Sequence, residues 1–234
     1  MRVAKNIFTR FVDNMKVQQN STQQYRTPNF KSRIKFVTSK EFNNCNFRDY
    51  FYCNETTKPL IDSFTTFSSI WSPNVKTCTA GGLVNKEKNW GFHLYDCIEN
   101  IKNVRKDFKS IINADKNKYE SALIIGSKDL TGSPNSIPLF EEVQKTLQEI
   151  VTPSIFKTFK NIYSACDIGY DKNLDTWFIN LNVIINKINP FFPTDIMGIE
   201  NIKDSFEKIQ IAPQDELFVG DEQIKKEDFP ELFA

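Results

Sequence analysis

Apolar residues recur at helical spacing from Ile98 through Ile101, Val104, Phe108 and Ile111 to Ile112, which predicts an amphipathic helix over 97–113. Elsewhere the period changes to two. Trp90-Gly-Phe-His-Leu-Tyr95 alternates large and small residues as a half-buried strand does, and Trp177, Ile179, Leu181, Val183 and Ile185 alternate with polar or exposed partners. Ile34 to Thr38 and the apolar run Ala122–Gly126 predict two further strands, the second fully buried. A helix over 137–150 follows, with Ser136 expected as its cap and Pro138 in its first turn. A short helix is expected near 200–209, and Leu217-Phe-Val-Gly-Asp-Glu-Gln-Ile224 has a hairpin turn at Gly220-Asp221. Hairpins with intervening helices predict an α+β fold, a mixed β-sandwich flanked by helices.

Between Cys78 and the only histidine, His93, the pattern has chemical content. Cys78-Thr-Ala-Gly-Gly-Leu-Val84 is followed by the polar run Asn85-Lys-Glu-Lys-Asn89 and then by the alternating strand. If the two arms pair antiparallel, a two-residue loop places Cys78 directly opposite His93, and a four-residue loop makes them diagonal neighbours. Either even loop keeps both side chains on one face, because strand side chains alternate with period two. Directly opposed Cβ atoms lie about 5 Å apart and diagonal ones about 7–8 Å, so both registers permit contact. Trp90, Phe92 and Leu94 share the other face with Leu83 and form a core layer. The face carrying Cys78, Ala80, Gly82, Gly91 and His93 is expected to be bare except for the thiol and the imidazole. A thiol of ordinary pKa about 8.5 needs a base at neutral pH, and His93 is the one imidazole available. A buried structural cysteine and a satisfied structural histidine are the plain alternative.

These residues resemble a known group. A cysteine at a strand start, a histidine fifteen residues later across a hairpin, and a hydroxyl residue six before the cysteine (here Ser72) are similar to the bacterial glutamine deamidase superfamily. That superfamily includes the chemoreceptor deamidase CheD, the catalytic domain of cytotoxic necrotizing factors and the related lethal-factor toxins. Ala122-Leu-Ile-Ile-Gly126-Ser127 with the following helix resembles the glycine-ended strand and helix of CheD. Asp167-Ile-Gly-Tyr170 and Thr176-Trp-Phe-Ile-Asn-Leu181 resemble its Asp-x-Gly-Gly turn and next strand. The likeness covers roughly residues 70 to 185. The chain departs from it at Lys76-Thr77, where the family carries glycine, and at Gly126-Ser127, where it carries a glycine pair.

The resemblance implies the same mixed sandwich and a cysteine-dependent protein glutamine deamidase working through a thioester, with no cofactor and no metal. Cys78 is then the nucleophile and His93 the base. Ser72 orients the imidazole, although a serine before proline is equally an ordinary loop residue. Backbone N–H groups near Cys78, with Thr77 in support, hold the oxyanion. The implied partner is a protein carrying the target glutamine, met by a monomer in the bacterial cytoplasm or, for an effector or toxin, in a host cytosol. Transglutamination is the same chemistry with an amine in place of water. Cys97 is a rival nucleophile expected to pack in its helix. The alternative from another class is a catalytically inactive α+β protein-binding module.

Composition adds limits. The 234 residues are 40% hydrophobic and 13% aromatic, enough for one substantial core. The formal charge of +1 provides no global field for nucleic acid. Charge is uneven, however: residues 1–40 carry nine Lys/Arg and one acid, and the last twenty carry seven acids and two lysines. The organisation expected is a basic arm with a short amphipathic helix over 1–45 and a catalytic domain over 46–234. No stretch approaches the roughly twenty apolar residues of a membrane helix, and the N-terminus lacks a secretory signal pattern. Five cysteines without CxxC spacing argue against a disulfide framework or structural zinc. The order of Cys78 and His93 excludes papain-like and caspase-like arrangements. No G-x-S-x-G elbow occurs, and Gly126–Gly132 lacks the ending of a phosphate loop.

Overall fold

The structure is a computed structural model and describes residues 31–44, 51–52, 64–66, 69–85, 89–112, 119–127, 133–151, 155–161, 166–181, 202–203 and 205–233. The short amphipathic helix expected in the basic arm and the junction expected at 45/46 lie outside these residues, as do Val183 and Ile185 of the strand expected from Trp177.

The described strands are β1 (Arg33–Val37), β2 (Phe51–Tyr52), β3 (Phe64–Thr66), β4 (Ile70–Val75), β5 (Thr79–Val84), β6 (Asn89–Leu94), β7 (Ser121–Ser127), β8 (Phe156–Asn161), β9 (Cys166–Asp171), β10 (Thr176–Asn180), β11 (Phe206–Gln210), β12 (Glu216–Val219) and β13 (Glu222–Ile224). The helices are α1 (Ser39–Asn44), α2 (Ile98–Ile112) and α3 (Ser136–Ile150). Among the described residues the strands form two mixed sheets. One has the order β13-β12-β1-β10-β9-β4-β2 and the other β11-β8-β7-β5-β6-β3. The fold is α+β.

The inner faces pack together. Ile34, Phe36, Ile168 and Trp177 of the first sheet share a core with Ala80, Leu123, Ile125 and Phe159 of the second. The outer face of the second sheet is covered by α2 and α3. There Leu83, Trp90, Phe92 and Leu94 pack on Val104, Phe108, Leu139 and Val143, with the Trp90 and Phe108 rings edge to face at 4.8 Å. Aromatic pairs in this geometry add about 0.5–1.5 kcal/mol beyond their burial. The period-two assignment of Trp90, Phe92 and Leu94 to a core layer therefore holds, and the helix predicted over 97–113 supplies the other side of that layer.

Several expectations are revised. All five residues of β10 are buried, so its intervening residues are not exposed: Phe178 packs with Val37 and Phe42 on the outer side, where α1 covers the sheet. Of the short helix expected near 200–209, residues 202, 203 and 205 are helical, but 206–210 form strand β11, paired antiparallel to β8. Asn135, not Ser136, precedes α3, and its side chain makes no capping bond. Ser136 is fully buried in the first turn. Strand β1 runs parallel between β10 and β12, so residues 33–44 belong to the packed fold and not to an arm. Basic and acidic ends meet within the chain there: Lys31 and Arg33 face Glu216, and Lys35 Nζ lies 2.7 Å from Asp221. That last contact, chiefly the hydrogen bond from Lys35, holds the Asp221 carboxyl below its usual value.

Gly220 turns the β12–β13 hairpin at φ +57°, a left-handed conformation that costs side-chain-bearing residues about 1 kcal/mol. No atom lies within 4 Å of the position a Cβ would take there. Gly220→Ala is therefore expected to lower thermal stability by roughly 2–4 °C through backbone strain alone. An unchanged melting temperature in the variant contradicts this account.

Candidate active site

The β5–β6 register pairs Ala80 with His93 and Leu83 with Trp90, which leaves four residues, 85–88, between the arms. Of the two even loops, the longer is the one adopted, and Asn85 N–H closes it by donating to Asn89 Oδ1 at 3.3 Å. Cys78 lies in the bend one residue before β5, and extending the ladder through it would make it the diagonal neighbour of His93. Diagonal Cβ atoms stand about 7–8 Å apart, within reach of an imidazole.

Ser72 comes from the opposite sheet. It lies in β4, not in a loop, and pairs with Ile168. Immediately beyond it the ladder slips between Ser72 and Val75, with Asn74 at φ +53° and its N–H donating to Asp167 Oδ1 at 2.7 Å. Such irregularities bend a strand and re-aim its side chains. Ser72 Oγ lies 2.9 Å from His93 Nδ1 across the gap between the sheets. The bend Lys76–Cys78 then carries the chain from one sheet to the other. Ser72 and His93 are thereby brought together between the sheets, and Cys78 ends the bend that leads into β5.

The face is not bare, however. A Cβ on Gly82 would stand 2.9 Å from Ile70 Cδ1 and 3.3 Å from the Trp177 ring, so the opposite sheet fills the space expected for a substrate backbone. Cys78 is 1% exposed and His93 3%, with Nε2 buried. Period two fixes which face a residue occupies, but not whether that face meets solvent or another sheet.

Thr77 is half-buried and opens onto a cleft of about 510 Å³, formed with residues 95–99, Ser133 and Asn135. Cys97 lines it instead of packing in the helix, and Ile98, expected on the apolar stripe of α2, is 46% exposed there. The walls are tied down: the Ser133 hydroxyl donates to Asp96, Asn100 Nδ2 donates to the Tyr95 carbonyl at 2.7 Å, and Cys97 N–H donates to that carbonyl at 2.9 Å. Of these cleft residues Thr77 and Cys97 were singled out from the sequence, whereas Tyr95, Asp96, Glu99, Ser133 and Asn135 were not. The signal that could have found them is an apolar pair, Tyr95 and Ile98, each followed by an acid, Asp96 and Glu99, immediately after the histidine strand.

Of the other ionisable groups in the core, Tyr170 is poorly suited to proton transfer. Burial, and then the Asp175 carboxylate to which it donates, push its phenol far above the ordinary value. Among the described residues no group of three His, Cys, Asp or Glu is placed to hold a metal ion, and no helix is long and apolar enough to cross a membrane. Compared with known proteins, the chain matches no family model and no curated sequence.

Proposed function

We propose that the protein is a cysteine-dependent protein glutamine deamidase with the sandwich fold of the CheD and necrotizing-factor superfamily. The observation that carries this reading is the Ser72 Oγ–His93 Nδ1 contact of 2.9 Å, with buried Cys78 in the bend leading into the strand that pairs with that of His93. A serine accepting from Nδ1–H selects the tautomer whose Nε2 lone pair is available as a base. His93 takes the Cys78 proton, and the thiolate attacks the carboxamide carbon of a substrate glutamine. Backbone N–H groups by Cys78, supported by Thr77, hold the oxyanion. The imidazolium protonates the departing nitrogen, ammonia leaves, and a thioester remains. Water, deprotonated by His93, cleaves the thioester to glutamate and regenerates the thiol. The substrate enters from the Thr77 side, after the bend Lys76–Cys78 opens. The resemblance extends to an effector or toxin acting on a host protein.

The experiment is mass spectrometry of candidate partner proteins incubated with wild type and with Cys78→Ser, read for glutamine-to-glutamate conversion. Ser72 receives its own test. Ser72→Ala is expected to lower kcat about tenfold with little change in KM, since it touches the base and not the substrate. Ser72→Thr, which keeps the hydroxyl, is expected to recover part of the rate. Equal rates for Ser72→Ala and wild type remove serine from the mechanism.

The burial of Cys78 and His93 favours a second reading, a catalytically silent binding module that keeps the hairpin for structure. Iodoacetamide at pH 6.5 separates the two. Labelling of Cys78 faster than an ordinary thiol, and lost in His93→Ala, supports the enzyme. Labelling no faster than an ordinary thiol supports the module.

A further inference from the structure

We infer that the cleft beside Thr77 selects glutamines flanked by a lysine or arginine and by an apolar residue, a substrate class that rests on the deamidase reading above. The cleft begins where the hairpin ladder ends. Leu94 is the last paired residue of β6, and the chain continues through Tyr95 to Ile98 along the wall that Thr77 shares. Thr77 is the chain neighbour of Cys78, so a segment held in the cleft lies beside the bend whose opening would expose the thiol.

Two chemical features of the walls set the preference. Among the described residues three large apolar side chains are exposed, and two of them, Tyr95 at 45% and Ile98 at 46%, line this cleft. Exposed apolar side chains gathered at one concavity mark a contact surface, whereas scattered ones carry no meaning. Among the described residues the charged ones in the lining are Asp96 and Glu99. Lys76 precedes Thr77 but is not part of the wall. An acidic floor flanked by an aromatic and an aliphatic side chain complements a cation beside an apolar residue and repels an acidic segment. The hydrogen bonds that Asn100, Cys97 and Ser133 make around Tyr95 and Asp96 preorganise this surface.

The test uses two peptides that differ only in charge, acetyl-Leu-Lys-Gln-Lys-Gly amide and acetyl-Leu-Glu-Gln-Glu-Gly amide, with the full chain. Conversion of the basic peptide is expected to be about five- to tenfold faster at low salt, to lose that advantage at high salt, and to lose it in Glu99→Lys. A second readout needs no catalysis. Cys97, in the wall, is expected to react several-fold faster with a cationic than with an anionic thiosulfonate, with Cys97→Ser assigning the signal. Equal conversion of both peptides overturns the substrate class and leaves the deamidase standing. Conversion of neither, with the charge preference at Cys97 intact, overturns the deamidase and the substrate class together. No charge preference at Cys97 overturns the acidic cleft itself.

Discussion

Cys78→Ser is expected to abolish glutamine-to-glutamate conversion, and His93→Ala to lower it by about 10³- to 10⁴-fold. The two residues serve one step, so the double variant is expected to be no slower than the worse single variant. That non-additivity is the informative part. Two independent structural roles would multiply their effects, whereas a nucleophile and its base fail together. Both variants should remain folded, because the hairpin ladder is backbone-paired along its length. His93→Ala leaves the buried Ser72 hydroxyl without its imidazole partner, a loss of about 1–3 kcal/mol, which urea unfolding measures separately. Retention of activity in Cys78→Ser ends the mechanism.

Lys157→Met is expected to cost about 3–5 kcal/mol, the largest stability loss anticipated from a single polar position. The Lys157 ammonium is 1% exposed and lies 3.3 Å from the Asp215 carboxylate, itself fully buried. Lys157 also donates to Ser121 Oγ and to the Ile155 carbonyl, each at 3.0 Å. Asp215 accepts from Ser32 N–H at 3.1 Å and Ala212 N–H at 2.9 Å. Replacing the lysine by an apolar chain of similar length leaves that carboxylate buried without its counter-charge. Lys157→Met with Asp215→Asn is expected to recover part of the loss, because no uncompensated charge remains. A lone Lys157→Met as stable as wild type contradicts the assignment.

The same lysine has a pH signature. Burial pulls its ammonium below the ordinary lysine value, against the opposing attraction of Asp215. Between the lowered folded value and the unfolded one, the unfolded chain binds more protons, so this group's contribution to stability rises with pH in the alkaline window. The wild-type minus Lys157→Met difference in urea midpoint should accordingly grow in favour of wild type as pH rises through that window.

The pair sits at the end of the sandwich away from Cys78. Ser121, its hydroxyl partner, opposes Val84 at the far end of β5 and also accepts from the Trp177 indole at 3.1 Å. Nothing in the local sequence distinguishes Lys157 from the other surface-type lysines of the chain. Its neighbours Phe156 and Phe159 are buried, but a lysine between aromatics is compatible with an exposed strand face. Only the arrival of Asp215, fifty-eight residues later, makes that lysine an interior cation.

The candidate site divides the same way. The hairpin register, Ala80 opposite His93, was legible as one of two even loops because pairing in a hairpin is local and side chains alternate along the paired arms. Ser72 could be named only through resemblance. Its distance to His93 depends on β4 lying in the other sheet and on a slipped register at Asn74, neither of which has a local signature. The cover over the His93 face was misjudged for the same cause: Ile70 and Trp177 reach it from the opposing sheet.

Periodicity by itself determined α2, the β5–β6 and β12–β13 hairpins, the buried strand β7 and the apolar layer of Trp90, Phe92 and Leu94, all of them short-range patterns that a few neighbouring residues specify. Only tertiary structure decided that β1 lies between β10 and β12, that 206–210 extends as a strand beside β8, that Lys157 meets Asp215 inside, and that serine and imidazole meet between the sheets. Those outcomes join residues far apart in the chain. Backbone pairing and burial between distant segments are set by how whole sheets stack, which no local window of side chains encodes.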